Sequence, residues 1–174
     1  MGKYLIMIKN GDIESAILIL KEVAKCLIDK GQSLWEIDSL TKEKLLNNNI
    51  LAENIYTYWE NEKPIAAMIL QWYDPVFWSE IKPNESGFIH KLCVSREYAG
   101  KGISGKMIKF AENECKNKGI KTLRLDCAGD RIKLCNLYES LGFKQINRKM
   151  MGNYDVAFYE KILNRDIILI LNNV

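Results

Sequence analysis

The chain has 174 residues, of which 48% are hydrophobic and 27% are charged, and its formal net charge is +3. This balance is ordinary for a globular protein and the length suits one domain, so we expect a single domain over residues 1–174. The small charge and scattered lysines give no case for a nucleic-acid partner, and no apolar run approaches the ~20 residues of a membrane helix. The N-terminus carries no long apolar signal segment, so we expect a cytoplasmic protein without a membrane partner.

Cysteine and histidine usage argues against a disulfide framework and against a metal site. The chain has five cysteines, none in a C-x-x-C pair, and one histidine. We therefore expect no metal, and we expect reduced, buried thiols. His90 lies three residues before Cys93 on one predicted strand. Strand alternation places their side chains on opposite faces, which disfavours a Cys–His nucleophile. The cysteines are Cys26, Cys93, Cys115, Cys127 and Cys135.

The first half of the chain predicts a strand, two helices and a β-hairpin. The first helix has an apolar stripe at helical spacing, with Asp12 before it as a cap and Gly31 after it as a stop. Two runs rich in aromatic and β-branched residues flank Asn61-Glu62, which is typical of a hairpin. The first strand covers 3–10, the second helix 41–49, and the hairpin strands 54–61 and 63–74.

The second half alternates strands and helices and then predicts two further strands. An aromatic segment with chain breakers at 73–87 is predicted to be a loop. The predicted strands are 87–95, 122–127, 143–150 and 154–163, and the helices are 101–119 and 132–142. The order is therefore β-α-α-β-β-β-α-β-α-β-β, an α/β fold with a mixed sheet. The apolar tail at 164–174 suits a strand, a helix or the contact of a homodimer.

The segment REYAGKGISGKM at 96–107 is a glycine-rich turn that leads into a predicted helix. Glycines let backbone N–H groups converge on an anion, and the helix N-terminus adds a partial positive charge, so a phosphate group is the expected ligand. A Walker A loop needs Ser or Thr after its lysine to bind magnesium. This chain has Met107 there, and a thioether has little affinity for a hard cation, so the Walker A interpretation fails.

The same glycines also fit the dinucleotide-binding fingerprint, with Asp126 at the end of the next strand as the partner of a ribose hydroxyl. In that fingerprint the first glycine follows the strand almost directly, whereas five residues, Ser95 to Ala99, separate Val94 from Gly100. The loop also lies past the middle of the chain, which leaves too few residues for a full doubly wound sheet. An NAD-binding enzyme is thus an alternative that the sequence disfavours.

Three segments resemble the GNAT superfamily of acetyl-CoA-dependent N-acetyltransferases, and the resemblance covers most of the chain. The first, LCVSREYAGKGISGKM at 92–107, is similar to the family's acyl-CoA loop, Q/R-x-x-G-x-G/A, with Gly102 at the central glycine. LRLDC at 123–127 and NLYESLGF at 136–143 follow, and the latter is similar to the family's Y-E-x-x-G-F. The predicted order of elements also matches the GNAT fold.

The resemblance implies acetyl-CoA as the cosubstrate. The N–H groups from Lys101 to Lys106 would bind its pyrophosphate, and the backbone of Cys93 and Val94 would hold the pantetheine arm, with a strand N–H polarising the thioester carbonyl. The loop departs from the family pattern with Ala99 for Gln or Arg and Ser104 for Gly or Ala, and neither change removes a backbone N–H. Asn136 stands near the place of a family asparagine that contacts CoA. The implied CoA-binding residues are Cys93, Val94, Ala99, Gly100, Lys101, Gly102, Ile103, Ser104, Gly105, Lys106 and Asn136.

The resemblance also implies two proton-transfer roles. Tyr138 would protonate the departing thiolate, and since a thiol has a pKa of about 8.5 and a phenol about 10, the transfer would be close to balanced. His90, which alternation places on one face with Phe88 and Leu92, would take the proton of the acceptor amine. A core tyrosine and a hydrogen-bonded core histidine are the structural alternatives. Many family members need only a water chain, and the other candidate bases are Asp74, Glu80 and Glu36.

Aromatic and acidic residues near the exit of the third strand indicate a pocket for a cationic or amine-bearing small molecule. A lysine or N-terminal amine of a protein is an alternative acceptor. The leading hypothesis is acetyl transfer from acetyl-CoA to a small primary amine by direct attack. The alternatives are a non-catalytic acyl-CoA sensor on the same fold and the NAD-binding enzyme. The residues assigned to the acceptor pocket are Trp35, Trp72, Asp74 and Trp78.

Overall fold

The computed structural model describes residues 5–32 and 35–163, so the predictions made for 164–174 lie outside the described residues. The strands are β1 Ile6–Asn10, β2 Ile55–Glu60, β3 Lys63–Gln71, β4 Gly87–Val94, β5 Thr122–Ala128, β6 Lys144–Met151 and β7 Tyr154–Ile162. The helices are α1 Ile13–Ile28, α2 Lys42–Leu45, α3 Ile103–Asn117 and α4 Ile132–Ser140. The predicted order of elements is confirmed. Among the described residues, no helix is long and apolar enough to span a bilayer.

The strands of the described residues form one seven-stranded mixed sheet in the order β1-β2-β3-β4-β5-β7-β6. Neighbouring strands are antiparallel except β4 and β5, which run parallel. The predicted hairpin joins β2 to β3, and its turn residues Asn61 and Glu62 have φ values of 49° and 65°, as a tight hairpin turn requires. A doubly wound dinucleotide fold has a mostly parallel sheet, so this topology contradicts the NAD-binding alternative.

Side chains at the ends of α1 and α2 set where these helices begin and stop. Asp12 Oδ1 accepts a hydrogen bond from the N–H of Ser15 at 3.2 Å and caps α1 as predicted. The second helix ends at residue 45 rather than 49. Asn47 Oδ1 accepts hydrogen bonds from the N–H groups of Asn49 and Ile50, and this local turn competes with the helical pattern.

Helices cover both faces of the sheet. On one face, Ile17 and Leu20 of α1 pack against Ala67 and Ile69 of β3. On the other face, α3 and α4 cover β3, β4 and β5 with a larger set of buried residues that includes Met107. Burial on both faces fixes β4 and β5 in the middle of the protein, where their register decides which side chains meet.

A β-bulge in β4 changes which side chains share a face. Ala67 pairs with Cys93 and Ile69 pairs with His90, so one residue of β3 lies opposite two residues of β4. The bulged residue Lys91 has a φ of 50°. Ala67 and Ile69 are alternate residues of β3 and share a face, so the residues paired with them share that face as well. The prediction that His90 and Cys93 lie on opposite faces is therefore wrong.

The bulge also separates Leu92 from the histidine. Leu92 packs with the α3 side of the core, together with Ile89 and Val94. His90 lies on the α1 side, because it is paired with Ile69. The predicted common face of Phe88, His90 and Leu92 is thus interrupted, because an extra residue in a strand reverses the alternation that follows it.

The parallel strands β4 and β5 stay paired over a short distance only. Their register runs from Gly87 opposite Leu123 to Ile89 opposite Leu125. Beyond Ile89 the two strands part, although β4 continues to Val94. This parting leaves the second half of β4 without a strand neighbour on its β5 side, so its backbone polar groups there are open to a ligand.

Candidate active site

A cleft of about 2210 Å³ opens where β4 and β5 part. A pocket for one small ligand has roughly 300–1,000 Å³, so this cleft has room for two reactants. Its walls are the bulged half of β4, the glycine loop before α3, one side of α4, and the segments that follow α2 and β3. The fold thus brings segments from distant parts of the chain to one space.

The glycine loop presents free backbone N–H groups at the start of α3. Gly100 and Gly102 have φ values of 78° and 75°, and a Cβ on either would meet nothing within 4 Å, so conformation rather than space requires glycine there. No side chain caps α3, which leaves the N–H groups of Ile103, Ser104 and Gly105 without a partner in the helix. These groups and the helix dipole favour an anion at this site.

Two of the predicted anion-binding N–H groups are used within the chain. The N–H of Lys101 donates to the carbonyl of Tyr98 at 3.3 Å, and the N–H of Lys106 donates to the carbonyl of Gly102 at 3.2 Å. The cleft is lined by Ala99, Gly100 and the segment 102–105, and it is not lined by Lys101 or Lys106. Fewer backbone N–H groups are therefore available to bind an anion than the sequence predicted.

Cys93 and Val94 line the cleft at the end of β4, as their assignment to the pantetheine arm requires. Burial raises the pKa of the Cys93 thiol to about 12. The thiol is therefore protonated at neutral pH and is a poor nucleophile. Although the bulge brings Cys93 onto the face of His90, its protonation state still disfavours a covalent cysteine intermediate.

Tyr138 of α4 lies in the wall of the cleft and is 6% exposed. Its ring packs against Phe143 and Tyr159, with centroids 6.1 Å and 6.0 Å away. Burial raises the pKa of Tyr138, and the nearby Cys127 and Asp126 raise it further. The hydroxyl is therefore protonated at physiological pH. Complete proton transfer from it to a thiolate is uphill rather than balanced, which corrects the comparison based on ordinary pKa values.

His90 lies between two carboxylates at the point where the strands part. Its Nε2 lies 3.1 Å from Asp74 Oδ2, and its Nδ1 lies 3.7 Å from Asp126 Oδ1. Gln71 Nε2 is also 3.1 Å from His90 Nε2. A neutral Nε2 can accept a hydrogen bond from Gln71, and a protonated Nε2 can donate to Asp74. The ring can therefore take a proton with a partner already in place.

The two carboxylates have opposite pKa shifts. Burial raises the pKa of Asp126 to about 6, although the charge of His90 lowers it in part and that of Asp74 raises it. Burial also acts to raise the pKa of Asp74, but His90 and the N–H groups of Phe77 and Val76 outweigh burial and lower it. Asp74 is thus the fixed anion and Asp126 is the carboxylate that titrates near neutral pH.

The Asp74–His90–Asp126 cluster has the composition of a metal site, and one ligand atom from each residue lies within 4.8 Å of the others. One carboxylate faces each nitrogen of the imidazole ring. The same arrangement suits a proton on the ring, because a protonated nitrogen would find an acidic partner on either side.

The structure brings half of the predicted acceptor residues to the cleft. Trp35 and Asp74 line it, joined by Phe77, whose ring lies 6.2 Å from that of His90. Trp72 packs on the α3 side of the sheet, and Trp78 is 2% exposed in a core cluster with Phe88, so neither lines the cleft.

Several other predicted residues also lie away from the cleft. Asn136 is exposed on α4 and is not among the lining residues. Of the alternative bases, Glu36 and Glu80 are exposed and do not line the cleft either. Asp74 is the alternative base that remains, and it is already bound to His90.

Asp126 and Lys91 are cleft residues whose position sequence reasoning missed. Asp126 is an acidic residue on the face of β5 that also carries Arg124, and the buried residues Leu123 and Leu125 lie on the opposite face. Phe88 is paired with Arg124, so His90 and Asp126, each two residues further along its strand, come close together. That signal becomes usable once the pairing of β4 with β5 is known. Lys91 gave no signal, because a bulge at a lysine has no sequence signature comparable to glycine.

Comparison with known families identifies the chain. Residues 21–143 match the family described as Acetyltransferase (GNAT) family. The chain belongs to the GNAT acetyltransferase family. It is also similar to an uncharacterized N-acetyltransferase, YesJ, of Bacillus subtilis strain 168, with 27% identity over 149 residues that cover 81% of both chains.

Solved GNAT structures share the fold. The chain is similar to PaiA N-acetyltransferase from Thermoplasma acidophilum in complex with coenzyme A, at a TM-score of 0.69 and 22% identity, over 91% of this chain and 99% of that one. It is also similar to a GNAT-family acetyltransferase from Staphylococcus aureus, at a TM-score of 0.68 and 17% identity, over 92% and 100% of the two chains. Family membership makes the chain an acyltransferase enzyme, against the non-catalytic sensor that the sequence left open.

The raised pKa of Asp126 predicts a pH-dependent stability difference for Asp126→Asn. The folded state holds this proton more tightly than the unfolded state, so between the ordinary value of 3.8 and about 6 the contribution of Asp126 to stability falls as pH rises. The variant lacks this loss. Relative to wild type, its unfolding free energy should therefore increase by about 1–3 kcal/mol between pH 4 and pH 7.

Urea unfolding of both proteins at several pH values measures this difference. Asp155→Asn is the matched control of opposite sign, because Arg148 lowers the pKa of Asp155, and that variant should lose stability relative to wild type as pH rises. A stability difference for Asp126→Asn that is constant across this range would contradict the raised pKa.

Proposed function

We propose that this enzyme transfers an acetyl group from acetyl-CoA to the primary amine of a small molecule by direct attack. The observation that carries the proposal is that three features line one cleft. They are a group of free backbone N–H groups, a protonated tyrosine, and a histidine that lies between two carboxylates and can accept a proton. An anionic cofactor, a leaving thiolate and an acceptor ammonium need these three features respectively.

The cofactor end of the proposal rests on the glycine loop and on β4. The N–H groups of 103–105 and the dipole of α3 suit a pyrophosphate, and the parted half of β4 suits an extended pantetheine arm. The fold is similar to PaiA N-acetyltransferase in complex with coenzyme A and to a putative streptothricin acetyltransferase from Bacillus anthracis in complex with acetyl coenzyme A. The latter has a TM-score of 0.56 and 17% identity over 71% of this chain and 69% of that one.

His90 acts as the base in this proposal. An alkylammonium has a pKa of about 10.4, so the acceptor must lose a proton before it can attack a thioester. Asp74 is buried and holds the imidazolium that forms, with Asp126 on the opposite nitrogen. Tyr138 acts on the leaving thiolate in this proposal. It stays protonated and donates a hydrogen bond to the sulfur as the C–S bond breaks. Since its pKa is raised, stabilisation of the thiolate precedes completion of proton transfer.

The size of the acceptor follows from the walls of the cleft. Trp35, Phe77 and Asp74 border the space next to His90, and aromatic walls with a few polar groups are typical of pockets for small molecules. Asp74 supplies negative charge for an ammonium that approaches the histidine. We therefore favour a small amine over a protein terminus.

Thiol release from acetyl-CoA across a panel of amines tests the proposed function. We expect release that depends on the amine, with an acetylated product found by mass spectrometry. Thermal stabilisation by acetyl-CoA and CoA, but not by NAD, should accompany it. Stabilisation by CoA without thiol release for any amine would contradict the proposal.

Two variants separate the proton roles through the pH profile of kcat/KM. His90→Gln should lower kcat/KM by about 10²-fold or more near neutral pH and recover as pH approaches the pKa of the acceptor, where the free amine is abundant. Tyr138→Phe should lower kcat with little change in CoA affinity, and this loss should not recover at high pH. Each variant is the control for the other, and identical pH profiles for the two variants would contradict the assignment.

A further inference from the structure

Lys91 occupies an unusual place in the cleft. It is the bulged residue of β4, and its φ of 50° is a conformation that residues other than glycine rarely adopt. Strained backbone persists where the surrounding structure enforces it, and such positions cluster at functional sites. The residue before it is His90, so the bulge places a lysine directly beside the proposed base.

Lys91 lies between an apolar region and the cleft. Together with Ala16, Leu20 and Leu45 it lines a small apolar space on the α1 side of the sheet. Its ammonium lies 5.0 Å above the centre of the Trp35 ring, and both residues line the cleft. Lysine stems commonly pack along apolar surface in this way while the charged end reaches a more polar space.

No carboxylate of residues 5–32 and 35–163 forms an ion pair with Lys91, and no hydrogen bond joins its ammonium to them. Desolvation lowers the pKa of Lys91, and the one other influence is the buried thiol of Cys93, which is neutral. A half-buried cation held by an aromatic ring alone is expensive to desolvate, and an anionic ligand would offset that cost.

The cleft is therefore electrically asymmetric around the bulge. The Asp74–His90–Asp126 cluster offers negative charge to the cleft, and Lys91, whose ammonium lies over Trp35 in the same wall, offers a positive charge without an ion pair. A diamine would meet the cluster with one ammonium but would place the other near Lys91. A molecule with an amine and an anionic group fits both charges, and the same lysine disfavours polycations.

We propose that the acceptor is an aminocarboxylate whose carboxylate is bound by Lys91 while its amine faces His90. This inference rests on the proposed function and adds the chemical class of the substrate. The amine loses its proton to His90 and forms the amide bond, the C–S bond of acetyl-CoA breaks, and the thiolate receives a proton. The carboxylate takes no part in the bond changes and contributes binding alone.

Steady-state kinetics with a matched four-carbon set tests the proposal: γ-aminobutyrate, butylamine and putrescine, supplemented by glycine and β-alanine. Wild type should prefer the aminocarboxylates. Lys91→Met keeps the stem and removes the charge, so it should raise KM for aminocarboxylates by about 10- to 100-fold and lower the preference for γ-aminobutyrate over butylamine by a similar factor. Lys91→Arg should retain the preference, and Lys91→Glu should turn it toward putrescine.

Lys9→Met is the matched control, because Lys9 also lies over a tryptophan, at 3.7 Å from the ring centre of Trp59, but outside the cleft. It should leave every substrate unchanged. If wild type prefers putrescine or butylamine, the aminocarboxylate proposal is wrong and the proposed function still holds. The same conclusion follows if a folded Lys91→Met variant loses γ-aminobutyrate and butylamine activity equally. Absence of thiol release with all five amines overturns both proposals. If only the proposed role of Lys91 is wrong, acetylation of butylamine, which has no carboxylate, is still measurable.

Discussion

The parting of β4 from β5 is the constraint on which the rest of the site depends. The two strands are held together at one end by three register positions and separated at the other, while helices on both faces keep them in the middle of the protein. A continuous sheet would bury the same backbone in hydrogen bonds and leave no cleft. Because the strands part, the glycine loop, Tyr138 of α4 and His90 of β4 border one space, although they come from distant parts of the chain.

The bulge in β4 works together with this parting. It turns His90 and Cys93 onto one face and sends Leu92 into the core on the other. The histidine is then fixed by Asp74, which is itself held by the N–H groups of Val76 and Phe77 at 3.0 Å and 3.1 Å. Two carboxylates in a partly dry space are costly unless a proton or a cation is shared between them. The proposed role of His90 as base and the proposed binding of an anion by Lys91 both follow from this arrangement of charge.

The order of elements could be predicted from sequence because each helix and strand carries its own signal. Asp12, the Asn61-Glu62 turn and the glycines before α3 act locally, and the structure places them where the pattern indicated. Register could not be predicted in the same way. One extra residue at Lys91 reverses the alternation, so the face of Leu92 and the relation of His90 to Cys93 were wrong.

The candidate site was predicted in part for the same reason. The loop residues 102–105 and Tyr138 follow from short motifs, His90 follows from its place on the strand before the loop, and all line the cleft. The partners of His90 depend on contacts between distant segments, which is why Asp126 was missed. Trp72, Trp78 and Asn136 were assigned by proximity along the chain, and each faces away from the cleft because side-chain direction is set by the packing of its own strand, loop or helix.

The most direct measurement of the central claim is a single-turnover experiment with deuterated acetyl-CoA, in which protein and acceptor masses are followed together. The proposed function places the acceptor amine and the thioester together in the cleft, and Cys93 is held as a protonated thiol. The account predicts that the deuterated acetyl group appears on the acceptor amine without first appearing on the protein. Labelled protein that forms before product and decays as product appears would contradict it.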